Sequence, residues 1–126
     1  MDQYERSGET TGLSPERLDT LIRALAAEPR RAVYAYLTEH DSAAIDRLAD
    51  VVVGRSRARG RDTDAPDRAD IRTALHHRHL PALDEAGVIS YDAGQQTATL
   101  ASLSPSTTEV LTTILDLEAV GTDREN

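Results

Sequence analysis

Apolar residues recur at helical spacing along most of the chain. The first such segment has four apolar side chains at positions i, i+3, i+4 and i+7, which form one face of a helix: Leu18, Leu21, Ile22 and Leu25. Ser14 and Pro15 just before them are typical of an N-cap and a first helical position. The pattern as a whole predicts five helices, over residues 14–27, 29–39, 43–53, 67–86 and 105–118.

Two glycines and one proline set the expected helix ends. Gly54 is predicted to end the third helix and Gly87 to end the fourth. Pro81 lies inside the fourth helical pattern, and because it lacks a backbone donor we expect a kink near His77. The residues after Gly87 alternate as in two short strands around the turn Gly94-Gln95-Gln96, which predicts a β-hairpin over residues 88–100.

The order of these elements predicts the fold class. Three helices, a long loop over residues 55–66, a fourth helix, a hairpin and a last helix form a mainly α fold with a small β-hairpin, an α+β arrangement. We interpret it as a winged helix-turn-helix domain with an extra C-terminal helix, spanning residues 14–118. Residues 1–13 and 119–126 are expected to be flexible tails.

Composition narrows the class of protein. Without cysteine, the chain can form neither disulfides nor thiolate metal sites. Its 14 basic residues are all arginine, and 22 acidic residues give a net charge of −8. An acidic, lysine-free, alanine-rich chain is typical of a halophilic archaeon, where carboxylates keep proteins soluble in concentrated salt. A polar N-terminus and the lack of a long apolar run predict a cytoplasmic protein without a membrane segment.

Positive charge is nevertheless concentrated in one region. Residues 55–78 contain seven arginines and four aspartates, a local charge of +3, whereas the rest of the chain carries −11. Recognition helices present their N-terminal residues to base edges, and arginine binds phosphate and guanine. The candidate DNA-binding residues lie in the loop and along the fourth helix: Arg55, Arg57, Arg59, Arg61, Arg68, Arg72, Thr73, His76 and His77. The alternative is a solvated loop and an ordinary charged helix surface, and the turn at residues 94–96 carries no positive charge.

The histidines raise a second hypothesis, a metal site. His76 and His79 are three residues apart and share a helical face, but a site needs at least three ligands. The favoured interpretation therefore places both at the packing edge of the helix, with no metal and no cofactor. The chain has no nucleophile motif, phosphate loop or His-Glu metal motif, so we expect it not to be an enzyme, and no small-molecule ligand is evident.

The first and last helices have more apolar residues than so small a core needs. Pairing of each helix with its copy across a two-fold axis would bury the surplus, which predicts a homodimer, although the two helices could instead simply cover the core. The predicted dimerisation residues are Leu18, Leu21, Ile22, Leu25, Val110, Leu111, Ile114 and Leu115.

The block that runs from Leu75-His76-His77 through His79-Leu80-Pro81 to Ala86-Gly87 resembles an uncharacterised winged-helix domain of halophilic archaea. It is similar, more distantly, to winged helix-turn-helix regulators of the arsenic-repressor type, and the resemblance covers roughly residues 16–103. It implies a homodimeric regulator of transcription that binds double-stranded DNA. The absence of cysteine and the loop at 55–66 depart from the arsenic-repressor pattern. Two alternatives stay open: a protein-interaction module of the same fold without DNA binding, and a metal-responsive regulator that uses His76 and His79.

Overall fold

The chain folds as a mainly helical α+β domain with a small antiparallel sheet, as predicted. A computed structural model describes residues 13–58 and 67–124, with side chains described as far as residue 120. The elements in chain order are α1 (Pro15–Ala24), α2 (Glu28–His40), β1 (Ser42–Ala44), α3 (Ile45–Ala58), α4 (Arg68–Ala74), a π-helical turn (Leu75–His79), α5 (Leu80–Glu85), β2 (Ile89–Asp92), β3 (Thr97–Leu100) and α6 (Pro105–Arg124). No helix among these described residues is long and apolar enough to cross a membrane.

The sheet contains a strand that the sequence pattern did not predict. The hairpin β2–β3 is confirmed, but β1 pairs antiparallel with β3, so that the strand order is β1-β3-β2. In this register Ala43 lies opposite Ala98. We expected residues 43 and 44 to begin the third helix; they form a strand because β3 offers a free edge, and Ile45 is the first helical residue. The first strand thus delivers the chain to α3 beside the hairpin.

The third helix does not end at Gly54, which corrects the predicted boundary. It continues for another turn to Ala58, and a β-carbon at Gly54 would meet no atom within 4 Å. Glycine in the interior of a helix costs roughly 0.5–1 kcal/mol and does not by itself stop it. Arg55 and Arg57, which we assigned to a loop, are therefore helical. Arg59 and Arg61 lie outside the described residues.

A π-helical turn interrupts the fourth helical segment just before Pro81, at the place where the sequence predicted a kink. Between α4 and α5 the backbone makes a π-helical turn over Leu75–His79, and the Leu80 N–H donates to the Leu75 carbonyl five residues back. The wider turn accommodates the missing donor of Pro81, which lies in the first turn of α5. Gly87 then ends the segment with a φ of +80°, a conformation that favours glycine.

A single hydrophobic core joins the helices to the sheet. It includes fully buried Tyr34, Leu48, Leu75 and Val88. The last helix packs on α1 and is attached to α2 and α3 through Glu118, which accepts hydrogen bonds from Arg31 and Arg55. Burial alone would raise the pKa of Glu118, but the two arginines outweigh it and lower the pKa. Residues 119–124, predicted to be a flexible tail, continue α6.

Candidate nucleic-acid interface

The exposed side of α4 carries two arginines that bind the neighbouring helix α3. Arg68 Nε donates to Asp50 Oδ1 at 2.6 Å, and its Nη2 donates to the Asp46 carbonyl at 2.9 Å. Arg72 Nε donates to Asp46 Oδ1 at 2.7 Å. Asp46 and Asp50 are four residues apart, as are Arg68 and Arg72, so each helix presents its pair on one face. The pairing fixes both arginines across the α3–α4 contact.

The same face reaches the turn of the hairpin. Arg72 Nη2 donates to Gln96 Oε1 at 2.8 Å, and the Gln96 carbonyl accepts a hydrogen bond of 2.9 Å from the N–H of Ile45 at the start of α3. Gln96 adopts a φ of +55°, which turns the chain back into β3. The hairpin turn is thereby attached to the N-terminus of α3 and to the last turn of α4.

A second contact joins the π-helical turn to the hairpin. His76 Nδ1 lies 2.6 Å from the Tyr91 hydroxyl, and the two rings meet edge to face. Half-buried His76 is therefore held on the packing edge of the helix, as the favoured interpretation predicted. His77 is exposed and its ring lies edge-on to His76.

The charges on this face compensate one another. The hydrogen bond from Arg72 and its positive charge, followed by the charge of Arg68, lower the pKa of Asp46. The hydrogen bond to Asp50 raises the pKa of Arg68. The aspartate side chains remain 63% and 56% exposed, and those of Arg68 and Arg72 44% and 34%. Ion pairs this exposed contribute roughly 0–1 kcal/mol each, so a ligand of higher charge density can displace them.

The other predicted DNA-binding residues that the structure describes lie on two different helical segments. Thr73 is exposed on α4, and Arg57 is exposed near the end of α3. Arg55 lies elsewhere, in the half-buried ion pair with Glu118. The structure thus brings together Arg68, Arg72, Thr73, His76 and His77 on one helical segment and leaves Arg55 outside it.

Sequence reasoning missed the partners of these side chains. Asp46, Asp50 and Gln96 bind the two arginines, and Tyr91 binds His76. One signal was present in the sequence, the matching four-residue spacing of the two aspartates and the two arginines. It could identify the pairing only after α3 and α4 were known to lie side by side.

The histidines do not form a metal centre with other residues that the structure describes. No group of three or more histidine or acidic side chains within that part of the chain could hold a metal ion. His79 is only 6% exposed, and its Nδ1 has no hydrogen-bond partner there. Burial, and next the charges of Arg30 and Arg78, lower the pKa of His79 to about 4.

Exposed apolar side chains are concentrated on the first and last helices, α1 and α6. Among the described residues, the large apolar side chains that remain exposed are Leu18, Ile22, Leu117 and Val120. Leu18, Ile22 and Leu117 border a groove of about 550 Å³ between the two helices, which Ile114 also lines. Of the predicted dimerisation residues, Leu18 and Ile22 are exposed and Val110, Ile114 and Leu115 are half-buried. Leu21, Leu25 and Leu111 are instead buried in the chain's own core, so they are not accessible to a partner.

The chain was also compared with known families. A domain of unknown function (DUF7344) matches residues 22–99, which run from within α1 to within β3 and include the whole candidate interface. Comparisons with curated proteins and with solved structures gave no match. Since the match covers more than half of the 126 residues, the chain belongs to the DUF7344 family of domains of unknown function.

Proposed function

We propose that the protein is a DNA-binding transcriptional regulator with a winged helix-turn-helix, in which α4 enters the major groove and the hairpin β2–β3 is the wing. The observation that carries the proposal is the contact between Arg72 and Gln96, because it brings the hairpin turn beside the exposed arginines of α4. A helix and an adjacent hairpin on one continuous surface match the shape of a groove and its flanking phosphates.

The arginine network supports this proposal energetically. Arg68 and Arg72 are already held at fixed positions, so binding costs less side-chain entropy than for free arginines. On binding DNA, the two arginines would exchange their exposed aspartate partners for guanine or phosphate. Since the aspartates repel phosphate, we expect affinity to depend on specific hydrogen bonds more than on net charge, which suits a chain of charge −8.

The test is a fluorescence-anisotropy titration with DNA fragments enriched from genomic DNA, over a series of KCl concentrations. Arg68→Ala together with Arg72→Ala should weaken binding to the preferred fragment by at least about 30-fold, since each base-contacting arginine contributes roughly 1–3 kcal/mol. Arg23→Ala on α1 removes one charge outside the interface and is the matched control; it should change affinity less than about twofold. Equal losses in both variants, or no preferred fragment, would refute the assignment.

A second candidate function, a protein-interaction module without DNA binding, is favoured by one observation. Asp46 and Asp50 lie more than half exposed within the candidate interface, where they offset both arginines. The double substitution Asp46→Asn and Asp50→Asn separates the two candidates. A DNA-binding protein should bind its fragment more tightly after this change, whereas an interaction module should still show no preferred fragment.

We further propose that the regulator acts as a homodimer through α1 and α6. The groove between these helices is lined mostly by apolar side chains, with two hydroxyl residues, Ser106 and Thr113, and Glu109 as the one charged residue among the described lining, so a second acidic copy can approach it without strong repulsion. The family match ends at residue 99, before α6, so this helix lies beyond the part shared with the family. A stable dimer needs about 800 Å² from each partner, and α1 and α6 together are long enough to supply it.

Sedimentation equilibrium at high KCl tests the dimer. Leu117→Glu should dissociate it, since the side chain is 66% exposed and its change leaves the core intact. Ala93→Glu adds the same charge on the exposed hairpin turn and should leave the dimer unchanged. A monomeric wild-type protein, or a Leu117→Glu variant that stays dimeric, would refute the proposal.

A further inference from the structure

A small cavity lies behind α4, between its buried side and the N-terminus of α2. Its volume is about 280 Å³, near the lower end for ligand sites in proteins. Its walls are largely apolar, from Pro29, Ile71 and Ala74, and its charged or polar lining residues are Asp70, Arg78 and His79. The cavity is separate from the candidate DNA-binding surface, so a ligand could bind in it whether or not the protein binds DNA.

One buried polar atom on a side chain that lines this cavity lacks a hydrogen-bond partner among the residues that the structure describes. It is Nδ1 of His79, a residue that is 6% exposed. Buried polar groups in folded proteins nearly always have a partner, so this atom needs an explanation. A bound ligand that accepts a hydrogen bond would satisfy it.

The charges around His79 indicate that the ligand is negatively charged. Arg30 and Arg78 are close enough to each other and to His79 that their positive charges lower the pKa of His79, and the charge of Arg78, after burial, lowers the pKa of Arg30. Within the described part of the chain, neither arginine forms an ion pair with a carboxylate. The positive charge beside the buried His79 is thus carried by half-buried Arg30 and exposed Arg78, without a paired carboxylate among the described residues.

Two carboxylates near the cavity oppose this positive charge. Asp70 lines the cavity from the first turn of α4, two helical turns before Arg78, and Glu28 begins α2 and has a polar partner of its own. The positive end of α2 also faces this side, because Pro29 belongs to its first turn. Positive charge therefore lies toward the π-helical turn, and Asp70 limits the ligand to a single negative charge.

We infer that this cavity binds a small organic acid with one carboxylate and an apolar body. The carboxylate would lie at Arg78 and His79, and the apolar body against Pro29, Ile71 and Ala74. His79 would donate from Nδ1 to a carboxylate oxygen, and Arg78 would supply the compensating charge. Ile71 and Ala74 belong to α4, so an occupied cavity contacts the helix that also carries Arg68 and Arg72.

Benzoate is a suitable probe, because it combines a single carboxylate with an apolar ring of the right size. Titration of the ¹⁵N-labelled protein at constant ionic strength should show saturable one-to-one shifts of the His79 ring and of the Ile71 and Ala74 amides, with Kd near or below 1 mM. Benzamide, which has the same shape without the charge, and inorganic phosphate, which has charge without the apolar body, should each bind at least tenfold more weakly.

Arg78→Gln should weaken benzoate at least tenfold, whereas Arg57→Gln, which removes an exposed arginine on α3, should leave it unchanged. The amide spectrum of each variant shows that it is folded. Shifts that do not saturate by 50 mM benzoate, equal binding of benzamide, or equal losses in the two variants would each overturn the inference.

Discussion

His79 should make the folding stability fall as the pH falls below about 6.5. Its pKa is 6.5 in an unfolded chain and about 4 in the folded protein, because burial and then Arg30 and Arg78 oppose its protonation. The unfolded state therefore binds more protons between these two values, and stability is complete above the upper one. At pH 5 the unfolded ring is almost fully charged and the folded ring is almost neutral, which costs about 2 kcal/mol relative to pH 8.

The substitution that isolates this effect is His79→Gln, which keeps a polar side chain but cannot titrate. Urea unfolding at pH 8 and pH 5 should show that the wild-type protein loses about 2 kcal/mol more than the variant, and this comparison cancels the contribution of carboxylates such as Glu118. His77→Gln removes the exposed histidine of the same π-helical turn and is the matched control; it should keep the wild-type loss.

An equal loss in His79→Gln and in the wild-type protein would refute the reasoning. If that variant does not fold, the ring can be observed directly in the wild-type protein. The ¹⁵N and ¹H shifts of His79 should report a neutral imidazole at pH 5.5, and a protonated ring at that pH would contradict the buried, arginine-flanked environment.

Three further changes test the fold. Gly54→Ala should stabilise the protein by roughly 0.5–1 kcal/mol in urea unfolding, because the site is a helix interior with open space around it. Gly87→Ala should destabilise it by about 1 kcal/mol, because the backbone there has a positive φ, whereas the Arg17 side chain at 3.5 Å leaves room for the methyl group. If Gly54→Ala destabilised the protein, this would contradict the placement of Gly54 inside α3 and favour a helix end there. Glu118→Gln should cost about 2 kcal/mol, since it leaves two half-buried arginines without their carboxylate. Asp116→Asn on the exposed side of α6 is its control, and equal effects would argue against the Glu118 contact.

Local chemistry made much of the fold predictable. Ser14 was predicted to begin a helix, and its hydroxyl accepts from the N–H of Arg17. Ser104, just before the predicted last helix, accepts in the same way from the N–H of Thr107. Gly87 ends its helix and Pro81 displaces the backbone in the turn before it, as expected. In each case the signal and the structure it specifies lie within a few residues, so the sequence alone is sufficient.

Features that depend on distant residues were not predictable in the same way. Strand β1 is three small residues, Ser42 to Ala44, with no alternation to reveal it, and it exists because β3 lies beside it. Gly54 carries the same local signal as Gly87, and what differs is the backbone conformation that the surrounding structure selects. Arg55 looked like part of a basic loop, but a carboxylate 63 residues later, on α6, determines its place.

The candidate interface combines both kinds of feature. Arg68 and Arg72 were identifiable because they follow a helix start in a locally positive region. Their positions and hydrogen bonds, however, depend on Asp46 and Asp50 of another helix. In a chain of net charge −8, unpaired arginines would attract any polyanion and any acidic neighbour alike. Exposed aspartates at hydrogen-bonding distance remove that general attraction while costing a specific ligand little, since each exposed pair contributes only about 0–1 kcal/mol. The pairing therefore argues for selectivity. Displacing the carboxylates costs the two arginines their hydrogen bonds, and only a partner with acceptors spaced to match both arginines, which are one α-helical turn apart, can replace them. Two guanine edges or two phosphates would be such acceptors.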